Sequence, residues 1–212
     1  MTLLPLTKSF AGQVDLDALR EPINWLRDGV LVDQHPARAW EYGMAVDALA
    51  KWNAEADVRY PALILDVGGT GSRFGRMLED RMGPGWDVEL VDPKETGRLE
   101  DRQDGAAPPA QVILAISTIE HVPDQEAFLL AIAANLVPGG LAFLTMDGKG
   151  DEGPDVQHFH WMRERIYTPG LWIMLAASAA AKGLILWGGV DWAYHSDQLY
   201  DYSFFSLCLR KS

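Results

Sequence analysis

The residues with the clearest capacity for chemistry lie in Leu65-Asp66-Val67-Gly68-Gly69-Thr70-Gly71-Ser72, an acid followed by a run of glycines. Glycines at a strand-to-helix turn let the backbone bend tightly and approach a ligand closely. A dinucleotide fingerprint starting at Gly69 needs glycine or alanine five places on; that position is Phe74, and Gly75 falls one place too late. Asp66, two residues ahead of the first glycine, would repel a pyrophosphate. The combination suits a ligand with an amino group or a cationic centre and no phosphate. Asp92, roughly 20 residues further on, is placed to accept hydrogen bonds from both hydroxyls of a ribose. Dinucleotide enzymes use the same device, so Asp92 alone does not choose a cofactor. The bland alternative for the glycines is a tight turn and nothing more.

These residues need a scaffold, and the apolar pattern supplies one. The first 35 residues read as an irregular or helical lead-in, followed by a helix over about 37–54 carrying Trp40, Met44, Leu49 and Trp52. Short apolar runs at 62–67, 111–116 and 141–146 read as buried strands, Asp87-Val-Glu-Leu-Val91 reads as a further strand, and helical segments lie between them. Asp124 is the expected N-cap of one helix, and Gly139-Gly140 its stop. A helix over 169–181 and strands near 184–187 and 202–209 complete the order. Strands alternating with helices specify an α/β domain with a mostly parallel sheet, whose crevice opens at the carboxyl ends of the central strands. The loops after Asp66, Asp92, Ser117 and Met146 are therefore the ones that count.

Composition narrows the possibilities. A chain of 212 residues with net charge −12 fits one sizeable domain and is poorly suited to gripping nucleic acid, where affinity comes from neutralising phosphates. A single cysteine, Cys208, excludes an internal disulfide, and a reducing, cytoplasmic setting is expected. The N-terminus lacks a basic segment, and its apolar run is too short for a signal peptide. Leu171–Val190 approaches membrane-spanning length, but Lys182-Gly183 interrupts it, so a core helix followed by a strand is expected.

In their order, Leu65–Gly71, Val91-Asp92, Ser117-Thr-Ile-Glu-His-Val-Pro-Asp124, Leu136-Val-Pro-Gly-Gly140 and Arg165-Ile-Tyr-Thr-Pro169 resemble the class I S-adenosylmethionine-dependent methyltransferases. The resemblance implies a Rossmann-like, doubly wound sheet of about seven strands, the last antiparallel, with helices on both faces. It implies one methyltransferase domain: a helical cap at 1–58, a cofactor-binding core at 59–147, and lid, substrate loops and final strands at 148–212. It places S-adenosylmethionine on Asp66, Gly68, Gly69, Thr70 and Gly71, with Asp92 on the ribose, Asp101 at the adenine, and Ser117 and Thr118 facing the transferred methyl. A small-molecule or sugar-like acceptor is expected.

Methyl transfer from a sulfonium demands alignment above all, and needs a base only if the nucleophile arrives protonated. His121 is the candidate base; the alternative is that Glu120-His121 simply packs beside the cofactor. Glu120, His121, His158 and His160 partly resemble the metal set of small-RNA 2′-O-methyltransferases. Ser117 replaces a glutamate of that set, and hard ions prefer oxygen. No metal is expected, and the histidine loop is read as a lid anchored by Arg165 and Tyr167. In the segment after Gly188-Gly189, Trp192, Tyr194 and His195 are candidates for the substrate pocket, with Tyr167; simple loop packing is the alternative. Trp40 and Tyr42 either close over the cofactor or pack in the core. The rival functions are a methyltransferase-like module without catalysis, a metal-assisted nucleic-acid methyltransferase and a nicotinamide-dependent oxidoreductase.

Overall fold

The computed structural model describes residues 4–26, 36–56, 61–69, 74–104, 107–150, 166–195 and 203–212. Thr70, Gly71, His158, His160 and Arg165 lie outside the described residues.

The lead-in contains two short helices, α1 (Gln13–Ala18) and α2 (Arg20–Leu26), before the long α3 (Pro36–Glu55). Strand β1 (Ala62–Val67) then passes through the glycine loop into α4 (Phe74–Met82), and β2 (Trp86–Val91) follows. A 3-10 turn (Leu99–Asp104) leads to β3 (Ala110–Ala115), and a second one (Ile119–His121) to α5 (Gln125–Asn135). Strand β4 (Leu136–Gly148), α6 (Pro169–Ala181), β5 (Leu184–Leu186) and β6 (Ser203–Lys211) finish the order. Both capped helices start where their chemistry predicts: Asp124 accepts from Ala127 N–H at 3.0 Å, and Thr168 caps α6 with Pro169 in its first turn.

The described strands form one six-stranded sheet in the order β2-β1-β3-β4-β6-β5. The first four run parallel, and β6 runs antiparallel to both β4 and β5. The Rossmann-like, mostly parallel sheet is as expected, with six strands among the described residues where about seven were expected. Between β2 and β3 the polar stretch Leu99–Asp104 winds into a 3-10 turn instead of a strand, and β2 is left at the sheet edge with Arg102 paired to Glu89.

Period-two alternation explains the layering. Ile64, Val112, Leu114, Phe143 and Cys208 face the α1–α4 side with Trp40, Met44 and Trp52. Leu65, Ile113, Leu144, Leu207 and Leu209 face α5 and α6, where Phe128, Ile132 and Trp172 wait. Leu171–Val190 divides into α6 and β5 as expected, and no helix among the described residues is long and apolar enough to cross a membrane.

Gly139-Gly140 does not stop α5. The helix ends at Asn135, whose amide donates to Ala131 O at 2.9 Å, and β4 begins at once. Gly140 lies inside that strand because a Cβ there would sit 2.9 Å from Val137 O and 3.0 Å from Gln111 O.

Candidate cofactor site

The sheet order reverses between β1 and β3: the chain steps outward to β2 and then returns to the other side of β1. A crevice must open at the carboxyl ends there, because the crossovers leave in opposite directions. A cavity of about 550 Å³ occupies this position, a volume ordinary for a small-molecule site. Gly68, Asp92, Ser117, Thr118 and His121, all named from the sequence, line it together.

Each is held by its own element. Gly68 has φ +78°, and a Cβ there would lie 2.5 Å from Thr118 Oγ1, so both conformation and space demand glycine. Thr118 donates its hydroxyl to Val67 O at 2.9 Å, tying the β3 loop to the end of β1. Asp92 ends β2; its Oδ1 accepts Lys94 N–H at 2.8 Å, and its carbonyl accepts from Thr96 and Gly97. This closed turn presents Asp92 to the cavity while leaving it only 5% exposed.

Ser117 has φ +45°, a left-handed conformation unusual for a residue with a side chain. Its N–H donates to Thr145 Oγ1 at 2.9 Å and its hydroxyl to Glu41 Oε1 at 2.6 Å, while Thr145 also donates to Glu41. Glu41, on α3, is fully buried, and Arg38 approaches its other oxygen at 3.0 Å. Burial pushes the Glu41 carboxyl up from its ordinary range, against the pull of Arg38 and the two hydroxyls. Nothing in the sequence around Glu41 announced this role; it sits mid-helix between Trp40 and Tyr42.

Asp66 does not line the cavity. It is buried beneath the glycine loop, and its Oδ2 accepts Gly75 N–H at 3.1 Å at the start of α4. The same oxygen would lie 2.5 Å from a Cβ on Gly69 and 2.7 Å from one on Gly75. Both glycines are explained by the carboxyl packed against them. Burial pushes Asp66 up to about 6, and the Gly75 N–H opposes the shift. An anion placed there takes the site at a helix N-terminus that a pyrophosphate would otherwise use.

Other candidates are relocated. Asp101 is exposed and accepts Arg98 N–H at 3.1 Å; its neighbours Leu99 and Glu100 line the cavity instead. Tyr167 is buried in the α5–α6 core, where Gln125 donates to its hydroxyl. Its backbone pairs with Asp147 and Lys149, which turns the side chain inward. Trp192 packs edge-on against Trp172 at 4.6 Å, Tyr194 against Phe205 at 6.0 Å, and His195 meets Asp191 at 3.2 Å. None of the three lines the described cavity. Trp40 packs on Phe10, and Tyr42 stacks on Phe74 at 4.3 Å, so both belong to the core. Val122, Pro123 and Phe128 form an apolar wall, with Lys94 and Arg98 beside Asp92. Sequence reasoning passed over these five as site residues, although Lys94 and Arg98 lie in the loop that follows β2 and Val122-Pro123 directly follow His121. No group of three or more metal-ligating side chains exists among the described residues.

The sequence profile of a family described as "Methyltransferase domain" matches residues 38–175, which include every strand from β1 to β4. Among solved structures, the chain is similar to the 1,6-didemethyltoxoflavin-N1-methyltransferase of Burkholderia thailandensis, crystallised with 1,6-didemethyltoxoflavin and S-adenosylhomocysteine. Identity is 20%, the TM-score is 0.57, and the match covers 99% of this chain and 95% of that one. It is also similar to a protein from Galdieria sulphuraria proposed to be a sarcosine dimethylglycine methyltransferase. There identity is 12%, the TM-score 0.54, and coverage 84% and 91%. At these identities the likeness is one of fold. No curated protein matches the sequence.

Proposed function

Because this chain belongs to the methyltransferase-domain family, we propose that it transfers a methyl group from S-adenosylmethionine to a small-molecule acceptor by in-line displacement. The cofactor is read into the cavity at the β1–β3 switch point. Asp92 holds the ribose hydroxyls, Gly68 lets the backbone pass close beneath, and Leu99, Val122, Pro123 and Phe128 offer apolar surface to the base. Ser117 and Thr118 face the reacting end. His121 lines the same cavity and is the candidate base for an acceptor that arrives protonated.

The observation that carries the reading is the position of Asp66. Its carboxyl occupies the N-terminus of α4, so the donor that would hold a pyrophosphate is already used. That favours a phosphate-free nucleoside cofactor over a dinucleotide. The toxoflavin methyltransferase, similar in fold over nearly the whole chain, contains S-adenosylhomocysteine and a small heterocycle, which supports the same choice.

Calorimetry with S-adenosylhomocysteine and with NAD tests this. S-Adenosylhomocysteine binds and raises the melting temperature, by about 2.7 kcal/mol of stabilisation at a hundredfold excess over Kd. Asp92→Ala weakens it by about tenfold to a hundredfold, the worth of charge-assisted hydrogen bonds to two hydroxyls. Binding of NAD without binding of the homocysteine product sinks the proposal.

A further inference from the structure

Helix α6 contains none of the chain's 18 Lys and Arg and none of its 30 Asp and Glu. A helix that is apolar on every side is normally enclosed all round, and α6 is enclosed on one side only. Trp172, Leu175, Ala176 and Ala179 are buried with α5 and the sheet. Gly170, Ile173, Met174, Ala177, Ala180 and Ala181 are all exposed, Ile173 by 45% and Met174 by 66%. At about 100° per residue these positions share one stripe about 120° wide that runs the length of the helix. Strand β5 packs beside α6 and ends the sheet, so its outer edge has no neighbour among the described strands. Leu186 is exposed there, on the same sheet face as Leu184, which is buried with α6. An apolar surface of this kind marks an interaction site.

The shape and charge of the face indicate what covers it. As the outer side of a helix it is convex, so it suits another surface and not a small molecule. It is uncharged on a chain of net charge −12, so two copies of the chain repel least when they meet through it. It is also graded in size: Ile173 and Met174 stand in the first half of the helix, and Ala177, Ala180 and Ala181 in the second. A two-fold axis between Met174 and Ala177 would run two α6 helices antiparallel. Each copy's bulky half then lies on the other's alanine half, large against small, which lets the helices approach closely. A membrane surface fits less well, because a helix lying in that interface carries basic residues on its polar flank and aromatic anchors on the apolar one. Helix α6 has no basic residue, and its one aromatic, Trp172, is buried.

We propose that this face is the interface of a homodimer, in which α6 packs antiparallel on α6 of a second copy, with β5 at the margin of the seam. A 13-residue helix is about 20 Å long, and a seam of that length with Leu186 beside it buries on the order of 1,000 Å² in total. That area lies at the lower limit for a specific interface, which puts the dimer in the micromolar range. The cofactor cavity lies at β1 and β3, away from β5, and stays open in the dimer. The dimer does not depend on the methyltransferase reading.

Sedimentation velocity over about 1–300 μM protein, a span that brackets such a Kd, tests the proposal. The mass of the parent should rise from that of a monomer towards that of a dimer. Met174→Glu and Met174→Lys set a charge of either sign against an apolar surface, and each should weaken association by about tenfold or more. Val14→Glu, at a position on α1 that is 71% exposed, should leave association unchanged. These side chains are exposed, and an unchanged urea midpoint shows that each variant is folded. Antiparallel packing sets position 174 against position 177, so a mixture of Met174→Lys and Ala177→Glu should associate more tightly than either variant alone. A parent that stays monomeric throughout, a dimer that survives both Met174 variants, or a mixture no tighter than its components overturns the inference. Vesicles of phosphatidylcholine, with and without phosphatidylserine, supply the remaining arm. Co-sedimentation of a monomeric parent with them, lost in Met174→Glu, would assign the face to a membrane and likewise overturn it.

Discussion

Asp66 concentrates the physical argument in a single side chain. Its carboxyl caps α4 through Gly75 N–H yet is almost fully buried, and burial wins, pushing it up to about 6 from a reference of 3.8. An acid raised on folding favours the folded state fully at pH values below its unfolded value. That contribution is lost as pH climbs through the folded value. The span between 3.8 and about 6 corresponds to about 3 kcal/mol between acid and neutral conditions. Urea unfolding should therefore show the parent losing stability between pH 4 and pH 7. Asp66→Asn, which keeps an oxygen for Gly75, should show a flatter profile. Parallel profiles for the two proteins would mean that Asp66 is not the titrating group.

At the scale of elements, α3 controls the loop after β3. Glu41 receives hydroxyls from the β3 loop and from β4, and Ser117 is held at φ +45° between them. Such strain persists only where neighbours over-determine it. Glu41→Gln keeps an acceptor for both hydroxyls, so the loop should hold its shape. Glu41→Ala orphans Ser117 and Thr145 and strands Arg38, and is expected to cost about 2–4 kcal/mol. It should also weaken S-adenosylhomocysteine binding, although Glu41 does not line the cavity. Calorimetry and urea titration on the two variants separate these effects. Equal losses in Gln and Ala variants would show that charge, rather than positioning, is what Glu41 supplies.

Across the whole molecule, the chain's first described residues bind its last strand and the loop that follows β5. Leu6 N–H reaches Gly188 O at 3.1 Å, Phe10 N–H reaches Phe204 O at 2.9 Å, and Ser206 N–H returns to Lys8 O at 2.8 Å. Leu6 and Phe10 are fully buried, and Lys8 pairs with buried Asp15 at 2.5 Å. The N-terminal strap is thereby part of the core packed between α3 and the sheet, with Phe10 against Trp40. Phe10→Ala should cost about 3–5 kcal/mol, the usual penalty for emptying a large core position. Denaturant unfolding should show a lower midpoint at an unchanged slope. A loss below about 1 kcal/mol, as for a surface change, would mean the strap is dispensable.

Local chemistry determined much of this protein in advance. Strands β1, β3 and β4 follow from apolar runs, β2 from its alternation of charged and apolar residues, α5 from its Asp124 cap, and the cavity residues Gly68, Asp92, Ser117, Thr118 and His121 from their positions near strand ends. These features are legible because a strand's alternation, a cap and a tight turn depend on residues adjacent in the chain. Side-chain direction depends on distant partners, and there only the tertiary structure decided. Tyr167 and Trp192 looked like pocket aromatics until Gln125 and Trp172, far off in sequence, were found packed against them. Asp66 was expected beside the ligand, but Gly75 drew it beneath the loop. Glu41 carried no local signal, since its partners lie 76 and 104 residues away and meet it only after the sheet and α3 have packed together.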